Sequence, residues 1–144
     1  MHSVAKRLLA LLGSRHREYA AFDTRIDKYQ HSLQCATRAA LAGEPDDYVV
    51  MALFHDVFGG FEPLQHGNMA GVTLRPWISE RAQLACFEHP FAMEFVLSGK
   101  PAEEPMVSSP AYEFVTKYDL PSFDPDYPTM PIDRFLPTIR RVIR

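Results

Sequence analysis

At 144 residues with a formal net charge of −3 and mixed signs along the chain, the sequence is sized for one domain that buries its own core without disulfides, and it lacks the basic stripe of a nucleic-acid binder. No apolar stretch is long enough to span a bilayer, and the run from Leu8 to Leu12 after Lys6 and Arg7 is too short for a signal-peptide core, so a cytoplasmic protein without membrane contact is expected. Cys35 and Cys86 lack CxxC spacing and fall within apolar helical patterns, which points to reduced, buried thiols.

Val4, Leu8, Leu9, Leu11 and Leu12 recur at helical spacing and predict a first helix over 4–12. A polar connection runs from Gly13 to Lys28, partly helical or a lid. His31, Cys35 and Ala39 share one stripe of a second helix over 29–41, with Gly43 beyond its end as the stop, so His31 faces inward. Pro45 and the acidic pair Asp46-Asp47 open a third helix, which runs to His55-Asp56 and breaks at Gly59-Gly60. Residues 59–76 read as a loop containing Pro63, with a short helix possible over 68–74 and His66 in front of it. A fourth helix is expected over 78–88 with His89 at its end, and Pro90 is expected to break it before a helical continuation over 91–97. Ser109-Pro110 is a cap and first turn for a fifth helix ending in Tyr118-Asp119. A proline-rich loop over 120–131 and a last helix over 133–143 close the chain.

There is no alternating strand pattern, no repeat and no Gly-rich phosphate loop. The expected architecture is a single all-α domain, a compact bundle of about five or six helices. It comprises an N-terminal helix and possible lid (1–28), a helical core (29–119), and a proline-rich loop with a C-terminal helix (120–144).

The segment Met51-Ala52-Leu53-Phe54-His55-Asp56-Val57 ends an apolar helix on two residues that an interior normally excludes. Neighbouring helical side chains diverge by about 100°, so His55 and Asp56 cannot both follow the stripe of Val49, Ala52 and Leu53. Burying an imidazole beside a carboxylate costs several kcal/mol unless the two pair or bind a cation. His31, His66, His89 and Asp119 each fall at a helix end or on an inward face of a separate element, and bundles build metal sites in this way. Any one such histidine is more often a hydrogen-bonded core or surface residue, but six such placements around one His-Asp pair favour a metal site. Imidazole suits iron, zinc, manganese and nickel, and carboxylates can bridge two ions. His2 and His16 lie outside the apolar pattern and read as surface residues.

The H…HD…D pattern of His31, His55-Asp56 and Asp119 resembles the HD-domain superfamily. The wording around it (His31-Ser32-Leu33-Gln34-Cys35-Ala36, Gln65-His66-Gly67, Phe87-Glu88-His89, Tyr118-Asp119) is similar to the mixed-valent diiron oxygenase branch, which includes phosphonate-cleaving oxygenase and, more distantly, inositol oxygenase. The resemblance extends from about residue 22 to the end of the chain and takes in Ser122-Phe123-Asp124-Pro125-Asp126-Tyr127. It implies two irons, Fe(II) and Fe(III), with His31, His55 and Asp119 on one, His66 and His89 on the other, and Asp56 bridging; Asp56, His66 and His89 then carry the chemistry. Four positions depart from that branch: Phe58 replaces the glycine after the HD pair, Ala21 and Thr24 stand where a Tyr and a Glu form a lid, and Met93 replaces an anion-gripping lysine.

The function the resemblance implies is O2-dependent cleavage of a small hydroxylated, anionic molecule, organophosphonate-like or polyol-like, with Arg25, Lys28, Tyr29 and Arg75 as candidate substrate contacts. The same ligands also fit a phosphohydrolase of nucleotides or phosphomonoesters using manganese, nickel or zinc. A ligand-sensing module that keeps its metal site ranks third.

Overall fold

The computed structural model of the chain describes residues 1–59 and 65–144. Among them every regular element is helical: seven α-helices, one more than the upper expectation, with short 3-10 and π turns and no strand. No helix among them is long and apolar enough to cross a membrane. The expected break at Gly60 and the loop residue Pro63 lie outside the described residues.

Helix α1 (Ser3–Gly13) buries Ala5, Leu8 and Leu12, and His2 caps it by accepting the Val4 N–H on Nδ1 at 3.1 Å. Helix α2 (Lys28–Leu41) starts where the Asp27 carboxylate accepts the Gln30 N–H at 2.8 Å. It stops at Gly43, whose φ of +81° only glycine adopts readily, and the N–H groups of Gly43 and Glu44 close the end onto the carbonyls of Ala40 and Ala39. Helix α3 (Asp46–Phe54) is buried on every side from Tyr48 to Phe54, so it is apolar all round and shows no amphipathic stripe. It forms the middle of the molecule, with α2 packed against it.

Helix α4 (His66–Leu74) starts two residues before the short helix considered possible, and a 3-10 turn, Arg75–Trp77, follows it. Helix α5 (Glu80–Leu97) begins with Ser79 as its cap and packs against both α4 and α6 (Pro110–Phe114). The expected break at Pro90 does not occur. The helix runs through it, because the one carbonyl that proline leaves without a backbone donor, that of Cys86, accepts a bond from the His89 side chain instead. The last turn before Asp119 is a π turn, Val115–Asp119, closed by the Leu120 N–H on the Val115 carbonyl at 2.9 Å. A 3-10 turn, Ile132–Arg134, leads into α7 (Leu136–Val142), which lies on α3.

The connection between α1 and α2 contains turns and one isolated bridge, Ala20 to Asp23, and no helix. The proline-rich tail loop is fastened to α2. The Gln34 side-chain amide donates to the Asp124 carbonyl at 2.8 Å, the Met130 N–H donates to Thr37 Oγ1 at 3.0 Å, and the Arg38 guanidinium sits 3.8 Å over the Tyr127 ring.

Two glycines set how closely α4 approaches α5. A Cβ on Gly67 would stand 2.4 Å from the Cys86 carbonyl oxygen, and one on Gly71 would stand 2.2 Å from the Phe87 ring. The first obstacle is backbone and the second a half-buried side chain able to turn outward. Gly67→Ala is therefore expected to lower unfolding free energy by about 1–3 kcal/mol, and Gly71→Ala by less, as read by urea denaturation.

Candidate metal centre

Six side chains from five elements converge on one point. His31 lies in the first turn of α2, His55 caps the C-terminal end of α3 with Asp56 beside it, and His66 opens α4. His89 comes from the middle of α5, and Asp119 ends the π turn. They form three overlapping sets whose ligand atoms lie within 4.8 Å of one another and could hold a metal ion: His31, His55 and Asp56; His55, His89 and Asp119; Asp56, His66 and His89. Asp56 belongs to both the His31/His55 set and the His66/His89 set.

Backbone carbonyls decide how three of the imidazoles present themselves. Nδ1 of His31 meets the Ser122 carbonyl at 2.8 Å, Nδ1 of His55 the Ala52 carbonyl at 2.6 Å, and Nδ1 of His89 the Cys86 carbonyl at 2.7 Å. A carbonyl can only accept, so each Nδ1 carries the proton and each Nε2 is left to face the centre. There His31 Nε2 lies 2.9 Å and His55 Nε2 3.3 Å from Asp119 Oδ1, while His66 Nε2 lies 3.0 Å and His89 Nε2 3.8 Å from Asp56 Oδ1. The Nε2 atoms of His66 and His89 are 2.9 Å apart. His31, His55 and His89, each protonated on Nδ1, turn Nε2 lone pairs toward carboxylate oxygens, an arrangement that protons or cations between them would satisfy. Adjacent ligands on an octahedral ion with bonds of ~2.1 Å stand ~3.0 Å apart, which matches most of these contacts. The donor set therefore fits metal ions.

Burial opposes charge throughout the site, and the neighbours outweigh it in three places. Burial alone would raise Asp119, but His55 and His31 beside it hold its carboxyl far below the ordinary value. Asp56 is likewise held well below by His66 and His89 against the pull of burial. Burial would lower His55, yet the Asp119 carboxylate raises it; His89 is lowered, because for it burial dominates. Cys35 and Cys86 are buried free thiols pushed up by that burial, so both stay protonated and neither offers a thiolate ligand.

A cavity of about 750 Å³ opens onto the centre and is lined by His31, Asp56, His66, His89 and Asp119 themselves. Of the candidate substrate contacts, Lys28 lines it, with Nζ 4.0 Å from Asp56 Oδ2. Arg25, Tyr29 and Arg75 are not among its lining residues: Arg25 is exposed and paired with Asp23 at 2.8 Å, Tyr29 stacks on His16, and Arg75 is exposed on the 3-10 turn after α4. Tyr19, Ala20, Ala21 and Phe22, from the connection read as a possible lid, form one wall.

Sequence reasoning did not single out Phe123 or the Ser122 carbonyl as parts of the site. Phe123 stacks on His31 with centroids 4.0 Å apart and carries Phe22 edge-on at 5.1 Å. The only signal for either was the resemblance of the tail, since the 91-residue separation of His31 and Ser122 leaves no local pattern. Phe114, 5.1 Å from the His55 ring, supports the other side.

No protein-family model matches the chain, and no curated protein matches it.

The electrostatics predict different pH responses with and without metal. Without metal, the depressed Asp119 and Asp56 stabilise the fold above the ordinary carboxyl value of 3.8 and cease to do so as pH falls below it. The raised His55 stabilises it below its ordinary 6.5 and ceases to do so as pH rises through the raised value. The lowered His89 acts in the opposite sense, stabilising the fold above its ordinary 6.5 and less below it, so it offsets His55. Chelator-treated protein should therefore lose stability chiefly as pH falls below about 4, and Asp119→Asn should flatten that acid limb. Metal-loaded protein should gain stability toward higher pH, since metal and protons compete for the same Nε2 atoms. Thermal melts across pH in both states check this.

Proposed function

We propose that the chain is a dinuclear metalloenzyme of the HD-domain type, binding two irons and using O2 to cleave a small hydroxylated, anionic substrate. The observation that carries the reading is the convergence of four imidazole Nε2 atoms and two carboxylates at metal-ligand spacing, with all but His55 lining an open cavity. An iron pair bound there supplies the Lewis acidity that holds a substrate hydroxyl and the redox capacity that O2-dependent cleavage needs.

Within this reading His31, His55 and Asp119 hold one ion, His66 and His89 the other, and Asp56, which belongs to ligand sets on both sides, is the ligand common to both. Four neutral imidazoles and two carboxylates leave the occupied centre net positive, which suits an anionic or chelating ligand. Lys28 places a further cation beside Asp56, where it meets the anionic group of the substrate. Phe22, Phe123, Pro90, Met93 and Leu97 make the walls apolar, so they offer contact surface to a small organic body.

The same ligand set serves a phosphohydrolase, and a phosphomonoester would present much the same charge to Lys28 and the centre as a phosphonate. Imidazole ligation at both ions, His31 and His55 on one side and His66 and His89 on the other, favours the oxygenase reading.

Protein purified aerobically from iron-supplemented cells should carry about two irons per chain and, after partial reduction, give the low-temperature EPR signal of a coupled Fe(II)/Fe(III) pair. Manganese, nickel or zinc with phosphatase turnover and no such signal would select the hydrolase instead. His66→Ala or His89→Ala should lower the content to about one iron and abolish O2 consumption, while Asp56→Ala should release both. Retained oxygenase turnover in both histidine variants would sink the diiron reading. Lys28→Met should leave metal content intact and raise KM for an anionic substrate roughly tenfold.

A further inference from the structure

Position 90 is where local sequence rules and the observed helix disagree. In a continuous α-helix the N–H of residue 90 would donate to the carbonyl of Cys86, four residues earlier. Proline has no such N–H, and its ring crowds that same carbonyl. Yet α5 continues from Glu80 to Leu97 with Pro90 buried inside it. The Cys86 carbonyl accepts the His89 Nδ1–H at 2.7 Å.

Helix α4 is shaped around the same carbonyl. Gly67 backs onto it so closely that a Cβ there would stand 2.4 Å from the Cys86 oxygen and 2.9 Å from Pro90 Cδ. Gly67 follows His66, whose Nε2 lies 2.9 Å from that of His89. The missing N–H, the side-chain bond that replaces it and the glycine that leaves room for it therefore adjoin one pair of metal-facing imidazoles.

We propose that Pro90 is a positioning residue for the His66/His89 half of the centre: by removing the backbone donor that would occupy the Cys86 carbonyl, it reserves that carbonyl for His89 and fixes the imidazole with its proton on Nδ1 and Nε2 toward Asp56 and His66. The proposal rests on His89 being a metal ligand. An alanine at 90 supplies the missing N–H, which competes with the imidazole for the carbonyl. It also removes a helix-interior proline, so its effects on the fold and on the metal have opposite signs.

The test is Pro90→Ala in the full chain, read by anaerobic calorimetric titration with iron(II) alone and by thermal melts of the metal-free protein. The expected result is a melting midpoint equal to or above that of the unaltered chain, one of two iron equivalents weakened 10–100-fold, and the other unchanged. In a His89→Ala background the same substitution should leave the remaining equivalent unaffected. Unchanged affinity at both equivalents, equal weakening of both, or a variant that does not fold overturns the proposal, since the ring would then serve packing alone. A second measurement does not depend on the variant: imidazole 15N shifts of the metal-free, unaltered chain at alkaline pH should put the His89 proton on Nδ1, and a proton on Nε2 overturns the proposal. Should the unaltered chain bind no iron, the function proposed above fails, and the tautomer signal alone decides the role of Pro90.

Discussion

Three backbone carbonyls released from helical hydrogen bonding hold the centre in place, and each is released differently. Ala52 lies in the last turn of α3, where the helix runs out of donors; Ser122 lies in a loop beyond the π turn; Cys86 lies inside α5, four residues before a proline. Each accepts from an Nδ1, and the consequence is common to all three. The imidazoles cannot rotate to satisfy themselves elsewhere, and their Nε2 atoms converge where buried carboxylates also point. Outer contacts of this kind fix ring orientation and ligand basicity as firmly as the ligands themselves fix a metal.

The fold tolerates this concentration of polar groups because it surrounds them with rigid apolar structure. His31 and His55 are 1% and 0% exposed, and Asp119 is 3% exposed, so none can fall back on water when its partner is lost. Phe123 covers a face of the His31 ring, and Phe114 meets the His55 ring edge to face. Helix α3, apolar on every side, places His55 and Asp56 at the centre because it has no solvent face along which to shift.

The Asp119 side is fixed by a second network. Arg81 on α5 donates to both oxygens of Glu44, at 3.0 and 3.2 Å, also contacts Glu113, and lies 4.3 Å over the Tyr48 ring. The Tyr118 hydroxyl donates to Glu44 at 2.6 Å. Tyr118 immediately precedes Asp119, so this cluster ties α5, the turn after α2 and the end of α6 to one register of the π turn. The Ser122 hydroxyl, which bonds back to the Tyr118 carbonyl, carries the same constraint into the loop that holds His31.

What the sequence alone determined follows from interactions within a few residues. Apolar periodicity marked the helices that became α1 to α3 and placed His31, His55, Asp56, His66, His89 and Asp119 on inward faces or helix ends, and Gly43 marked a stop that its positive φ explains. The same local rules misread Pro90, because its cost is offset by a side-chain bond and by Gly67 on another helix. They also gave no sign of the π turn or of Phe123 on His31, and they did not separate Lys28, which lines the cavity, from Arg25, Tyr29 and Arg75, which do not. Those features depend on contacts such as His31 to Ser122, 91 residues apart, and Gln34 to Asp124, 90 apart. Helical periodicity says which way a side chain points from its own axis; only packing the axes together decides what it meets.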